Sequence, residues 1–236
     1  AEEAGIISGD IIIKIDTMNT EKLNLNAAAK LIRGEKGTAV TLIIQRGNSD
    51  KEMEFTLIRD DIKIKDVAYT GMVNDKTGYI LLTRFSRNSA PEMQKALAKL
   101  KKEKAESIIL DLRNNPGGLL QSSIDILDML LPKNQLLLST KGRTKGSNRT
   151  FYSKRDPIIS EDVKLAVLIN GGSASASEIV SGTIQDLDRG VIIGKRSFGK
   201  GLVQSVYNLD DKNRLKMTTA KYYTPSGRLI QSSGYV

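Results

Sequence analysis

Histidine, cysteine and tryptophan are all missing from the 236 residues. Without histidine there is no Ser-His-Asp triad. Without cysteine there is no disulfide and no thiolate nucleophile, and without both the usual zinc sites lose their ligands. No metal site and no cofactor is expected, and any acid–base chemistry falls to carboxylates, lysine or tyrosine. Long apolar runs are missing too: none approaches the roughly 18 uninterrupted residues of a membrane-spanning helix. The first residues, AEEAG, carry no basic leader or apolar targeting segment.

Aromatic residues are few, with four Phe beside the absent Trp, so little flat surface is on offer for stacking on bases. The net charge of +9 would attract polyanions if it were clustered. Its densest run, KALAKLKKEK at Lys95–Lys104, places Ala96, Leu97 and Leu100 on one helical face and its charges on the solvated one. Nucleic acid is not an expected partner.

A chain of this length holds one good core and a smaller second one. Residues 5–59 read as a small β-rich module: a strand at Asp10–Ile15, a helix at Asn24–Ile32, and alternating runs at Ala39–Gln45 and Glu52–Ile58 joined by a turn at Gly47–Asp50. DDIKIK at Asp60–Lys65 reads as a connector. Beyond it strands and helices alternate: strand Gly78–Phe85, helix Ala90–Lys102, strand Ser107–Leu112, helix Leu119–Leu131, strands Leu136–Thr140 and Lys164–Ile169, helix Ser175–Leu187 and strand Gly190–Ile193. That order predicts an α/β layer architecture with a largely parallel sheet. The polar, basic stretch Gly142–Asp156 reads as an exposed loop or hairpin. Leu202–Leu209 and Arg214–Tyr223, parted by Asp210–Asn213, read as a C-terminal β-hairpin.

Two strand-to-helix junctions draw attention, IILDLRNNPGGLLQSS at Ile108–Ser123 and VLINGGSASASEIVSG at Val167–Gly182. At each, the unpaired N–H groups of a helix start collect at one edge of the sheet, which suits an oxyanion hole; ordinary turns with positive φ account for the glycines equally well. The serines of SASAS divide in the same way, between capping and close packing on one side and a nucleophile on the other. Downstream, GKRSFGKGLVQ at Gly194–Gln204 satisfies the spacing of a phosphate-binding loop, but Gly201 stands where Ser or Thr should follow the lysine, and LVQSVYNL continues as a strand rather than a helix. Lys200 between glycines is instead a candidate base. A lysine must be neutral to accept a serine proton, and lowering its ordinary pKa of about 10.4 to near 7 or 8 takes about 4 kcal/mol of differential desolvation. A Ser-Lys dyad is physically accessible without histidine.

Taken together, LRNNPGG (112–118), GGSASASEI (171–179), QDLDRGVIIGKRSFGKGLVQ (185–204) and KYYTPSGRLIQ (221–231) resemble the carboxyl-terminal processing peptidases, the tail-specific Ser-Lys endopeptidases of family S41. The resemblance runs from about Gly78 to Gln231 and implies a crotonase- or ClpP-like α/β protease core. It implies Ser175 as nucleophile, Lys200 as general base, Gln204 as the residue that orients Lys200, and an oxyanion hole from the N–H groups of Ala176 and of Gly117 or Gly118. Ser173 and Ser177 are left to capping and packing. Ala4–Arg46 is similar to the latter part of a PDZ domain, whose N-terminal strand and carboxylate-binding loop would precede the sequence as it begins. The implied division is a partial PDZ module over residues 1–62 and the peptidase over 63–236.

The implied substrates are unfolded polypeptides, often with apolar C-termini, cleaved in a bacterial periplasm or cell envelope with peripheral association there. Two rival readings remain: an inactive, PDZ-gated scaffold with Lys200 displaced, and an acyl-CoA hydratase-like enzyme built on the same fold.

Overall fold

The computed structural model describes residues 1–47, 51–61, 65–211 and 213–231. The expected turn residues 48–50, and the middle of the connector at 62–64, lie outside the described residues. The chain divides into two compact units, Ala1–Ile64 and Lys65–Val236.

In the first unit, β1 (Ile11–Ile15), β2 (Met18–Asn19), β3 (Ala39–Gln45) and β4 (Glu52–Ile58) form a four-stranded antiparallel sheet in the order β2-β1-β3-β4. The period-2 alternation of β3 sends Val40, Leu42 and Ile44 inward onto Ile15. Helix α1 (Leu25–Ile32) closes that small core with Ala28, Leu31 and Ile32. It starts where Asn24 accepts the Ala27 N–H at 2.9 Å, satisfying one of the donors a helix start leaves open. Arg46 grips Asp10 through two nitrogens at 2.7 and 2.8 Å and holds its carboxyl at a pKa of about 2.

The second unit has two sheets. β5 (Val67–Met72), β6 (Thr77–Leu82), β7 (Ser107–Asp111), β10 (Lys164–Ile169) and β11 (Val191–Gly194) make the first, in the order β11-β10-β7-β6-β5. β6, β7, β10 and β11 are parallel, and β5 is an antiparallel edge strand that the sequence pattern did not single out. Helices α2 (Ser89–Lys102), α3 (Leu120–Leu130) and α4 (Ala176–Asp186) cross over between the parallel strands. The strands advance in one direction and such crossovers are right-handed, so the helices line up on one face with α3 between α2 and α4.

The second sheet combines β8 (Leu136–Gly142), β9 (Arg149–Tyr152), β12 (Leu202–Asn208) and β13 (Arg214–Tyr223) in the order β12-β13-β8-β9. The basic stretch after Gly142 is thus a hairpin rather than a loop. The C-terminal hairpin does not stand alone, because Ala220–Tyr223 pairs with Ser139–Gly142. β8 packs on α3 and α4, so these helices lie between two sheets, which is why α3 is buried from Ile126 through Leu130 and α4 from Ala176 through Ser181. No helix among the described residues is long and apolar enough to cross a membrane.

Candidate active site

β7 and β10 are parallel neighbours, with Asp111 opposite Leu168, so the turns that leave them emerge side by side at one edge of the sheet. The first turn, Leu112–Leu119, leads into α3; the second, Asn170–Ser175, leads into α4. Carboxyl edges of parallel strands are where α/β proteins place their sites.

Ser175 sits at the N-cap of α4 with φ 56° and ψ −111°, a conformation that L-residues rarely adopt. Strain of this kind costs about 1–3 kcal/mol and persists only where the surroundings enforce it. Here they do. On either side of Ser175, the Ala174 N–H and the Ser177 Oγ both donate to the Asn115 carbonyl, at 3.0 and 2.9 Å. The Glu178 Oε2 takes the Ser175 N–H at 2.7 Å. Ser175 is 9% exposed. Ser173 is fully buried, with its hydroxyl donating to the Leu112 carbonyl at 2.7 Å. Ser173 and Ser177 thus spend their hydroxyls on the neighbouring turn.

Gly117 lies directly over this corner. A Cβ there would stand 2.5 Å from the Ala174 carbonyl oxygen and 2.8 Å from the Ala176 nitrogen. The two glycines of the turn differ in their N–H groups. Gly117 donates to the Asn115 Oδ1 at 2.9 Å, whereas the Gly118 N–H has no protein partner among the described residues. The Ala176 N–H, at the first position of α4, is also without a partner among them. Two open donors, Gly118 and Ala176, therefore flank Ser175. Gly118 is held from below: Leu119 N–H donates to the Phe85 carbonyl at 2.7 Å, and Phe85 N–H to the Gly117 carbonyl at 3.0 Å.

Lys200 reaches the same corner through Glu178. That carboxylate, 3% exposed, accepts Ser175 N–H and Lys200 N–H (2.8 Å) on Oε2, and Ser197 Oγ (2.7 Å) and Gly199 N–H (2.5 Å) on Oε1. The lysine-bearing loop is thereby fastened to the serine turn, with the backbone nitrogens of Ser175 and Lys200 on one shared oxygen. Phe198 N–H adds a bond to the Ser173 carbonyl at 3.0 Å.

Lys200 is half-buried, and its Nζ makes no hydrogen bond to the Ser175 hydroxyl. Gln204 lies exposed on β12 beside a bulge at Val203–Gln204, and its amide does not bond Lys200. Catalytic hydrogen bonds in ligand-free sites are often long and tighten only around substrate. Glu178 was not among the residues singled out from sequence, although Ser175-x-x-Glu178 carries the capping-box spacing that marks it.

Asp111, at the end of β7, stiffens the first turn from behind. It accepts Arg113 N–H at 2.9 Å, the Arg113 guanidinium at 2.6 Å and the Tyr79 hydroxyl at 2.6 Å. Burial alone would raise its pKa; the bonds from Arg113 and Tyr79 outweigh that and hold it below the usual carboxylate value.

A strained serine at a strand-to-helix turn, two open N–H donors beside it and a tethered lysine loop lie together at one sheet edge of an α/β-layered protein. The model of peptidase family S41 matches residues 76–235, and that of the PDZ domain matches residues 1–46. Among curated relatives, a carboxy-terminal-processing protease of Bartonella bacilliformis is 42% identical across 99% of this chain and 54% of its own length. A carboxyl-terminal-processing protease of Synechocystis sp. is 40% identical across 99% of this chain and 55% of its own. The solved photosystem II D1 C-terminal processing protease superposes with a TM-score of 0.62 at 31% identity, covering 97% of this chain and 62% of that one. The chain belongs to peptidase family S41. It spans about half the length of the curated relatives it matches.

Proposed function

We propose that the chain is the catalytic part of a Ser-Lys endopeptidase that hydrolyses peptide bonds in unfolded or C-terminally marked polypeptides. Residues 63–236 form its peptidase core, and residues 1–62 the latter part of a PDZ-type module. Ser175 Oγ attacks the scissile carbonyl carbon and passes its proton to the neutral Lys200 amine, which Gln204 orients. The oxyanion is held by the N–H groups of Ala176 and Gly118, since Gly117 spends its own on Asn115. Collapse expels the amine fragment, which takes the proton from Lys200. Water, deprotonated by the same amine, then releases the acyl fragment and restores Ser175.

The observation that carries this reading is the Glu178 carboxylate, which binds the backbone of Ser175 and of Lys200 through one oxygen. An acyl-CoA hydratase would use the open N–H donors but has no need of a lysine loop bound to the serine turn. Curated relatives from several bacteria carry the processing-protease name, which supports work on polypeptides in a bacterium; a cell-envelope location and apolar C-termini as the substrate mark belong to the proposal alone.

Digestion of an unfolded polypeptide followed by mass spectrometry tests the proposal, with Ser175→Ala and Lys200→Ala variants of verified fold run beside the parent. Cleavage by the parent alone is expected. Cleavage that persists in Ser175→Ala overturns the mechanism, and a parent that binds but never cuts, with or without a tail peptide, turns the reading to a scaffold. A rise in melting temperature with CoA would point to the hydratase alternative.

A further inference from the structure

The turns that carry the two open N–H donors also touch at their outer rims. Asn114, at φ 58°, and Asn170 lie 56 residues apart in sequence and face each other there. Asn170 Oδ1 accepts two backbone N–H groups, from Asn114 at 2.9 Å and Gly172 at 3.0 Å. Those donors settle which end of the amide is oxygen, and its Nδ2 then donates to Asn114 Oδ1 at 2.9 Å. Gly172 makes the approach possible, since a Cβ on it would stand 2.9 Å from the Asn114 Cα.

We infer that Asn114 and Asn170 are positioning residues, an amide clasp that sets the spacing between the Gly118 and Ala176 N–H groups and so acts on the oxyanion step. The inner rim of the two turns is fixed by buried Asn115, whose carbonyl and side chain bind both sides of the junction. At the outer rim the side-chain bonds between the turns, among the described residues, are those of the clasp, with the Ser173 hydroxyl bound to the Leu112 carbonyl at 2.7 Å beneath them. Asn114 is exposed and Asn170 half-exposed, so water competes for their bonds and the clasp adds little to global stability. Its effect is concentrated where geometry matters: a displacement of about 1 Å at a catalytic group costs on the order of 100-fold in rate. The inference rests on the peptidase reading above.

The substitutions follow from the bonding. Asn114→Gly keeps the positive φ but removes the acceptor, Asn170→Ala removes the whole clasp, and Asn114→Asp keeps an acceptor and tolerates the same backbone. Expected results are a fall in kcat of about 10-fold for Asn114→Gly and 100-fold for Asn170→Ala, with KM little changed and melting temperature nearly constant. Affinity for a peptidyl boronate, which mimics the tetrahedral adduct, should fall in step with kcat. Asn114→Asp should recover most of the rate, and the Asn114→Gly/Asn170→Ala double variant should be no worse than Asn170→Ala alone.

An unchanged kcat in Asn170→Ala, or a loss confined to KM, overturns the inference. Amide resonances of Gly118 and Ala176, followed by NMR in the same variants, separate this from the peptidase proposal. A parent without activity counts against the peptidase reading, while the clasp still stands or falls on whether both resonances move in Asn170→Ala.

Discussion

The backbone N–H of Lys200 lies 2.8 Å from Oε2 of Glu178, a carboxylate 22 residues earlier in the chain. That oxygen also holds Ser175. Substitution by Gln would turn one end of this acceptor into a donor facing other donors. Glu178→Gln is expected to destabilise the fold by about 2–3 kcal/mol, the scale of hydrogen bonds to a buried charge. It should also reduce peptide hydrolysis by at least about 100-fold, as the lysine loop separates from the serine turn. Urea denaturation and steady-state kinetics on one preparation check both, and wild-type behaviour in either would refute the tether.

Ser175 has a backbone conformation suited to glycine. Ser175→Gly is expected to abolish hydrolysis while raising stability by about 1 kcal/mol, because relief of strain exceeds the few tenths lost with the cap. Equilibrium unfolding beside Ser175→Ala, which keeps the strain, measures the difference. A Gly variant less stable than the Ala variant would show that the turn is not strained.

Gly117 and Gly118 should tolerate no side chain. A Cβ on Gly118 would lie 2.0 Å from the Phe85 carbonyl oxygen, and one on Gly117 would press on Ala174 and Ala176. Gly118→Ala is expected to lower kcat by about 100- to 1000-fold, the usual cost of one oxyanion donor. Gly117→Ala should lower it through displacement of Ala176. Burst kinetics with an activated ester would locate the loss in acylation; an effect on KM alone would count against both roles.

Acid stability follows from carboxylates held below their ordinary value, three of them in the second unit. Burial opposes ionisation at Asp111, Asp128 and Asp186, but bonds from Arg113 and Tyr79, from Lys154 N–H and Arg155, and from Ser226, Thr224 and Arg228 outweigh it. A depressed folded pKa means that the unfolded chain binds more protons as pH falls, so the contribution is complete above the unfolded value of about 3.9 and is lost below it. The melting temperature should be flat from pH 7 to about 5 and drop steeply below about 4. Asp111→Asn should make that drop shallower, as a thermal-melt series from pH 7 to 2 would reveal.

Sequence alone is enough for the alternation of strands and helices, the two glycine-bearing junctions and the SASAS and FGKG segments, because these are local: period-2 and period-3.6 patterns, helix starts and turn residues are written within a dozen positions. By composition it also excluded histidine and thiolate chemistry and the usual His/Cys zinc sites. It did not reveal the edge strand at Val67–Met72, whose alternation is broken by a register shift, or the pairing of Ala220–Tyr223 with Ser139–Gly142. Nor did it distinguish Gly117 from Gly118. That choice rests on the side chain of Asn115, which occupies one N–H and leaves the other open. Glu178 as the common anchor of serine and lysine arises only when β10 and β11 lie side by side, and the Asn114–Asn170 clasp only when β7 and β10 do. A hydrogen bond spanning 22 or 56 residues leaves no periodic trace in the chain; it exists once the sheet has set the distances.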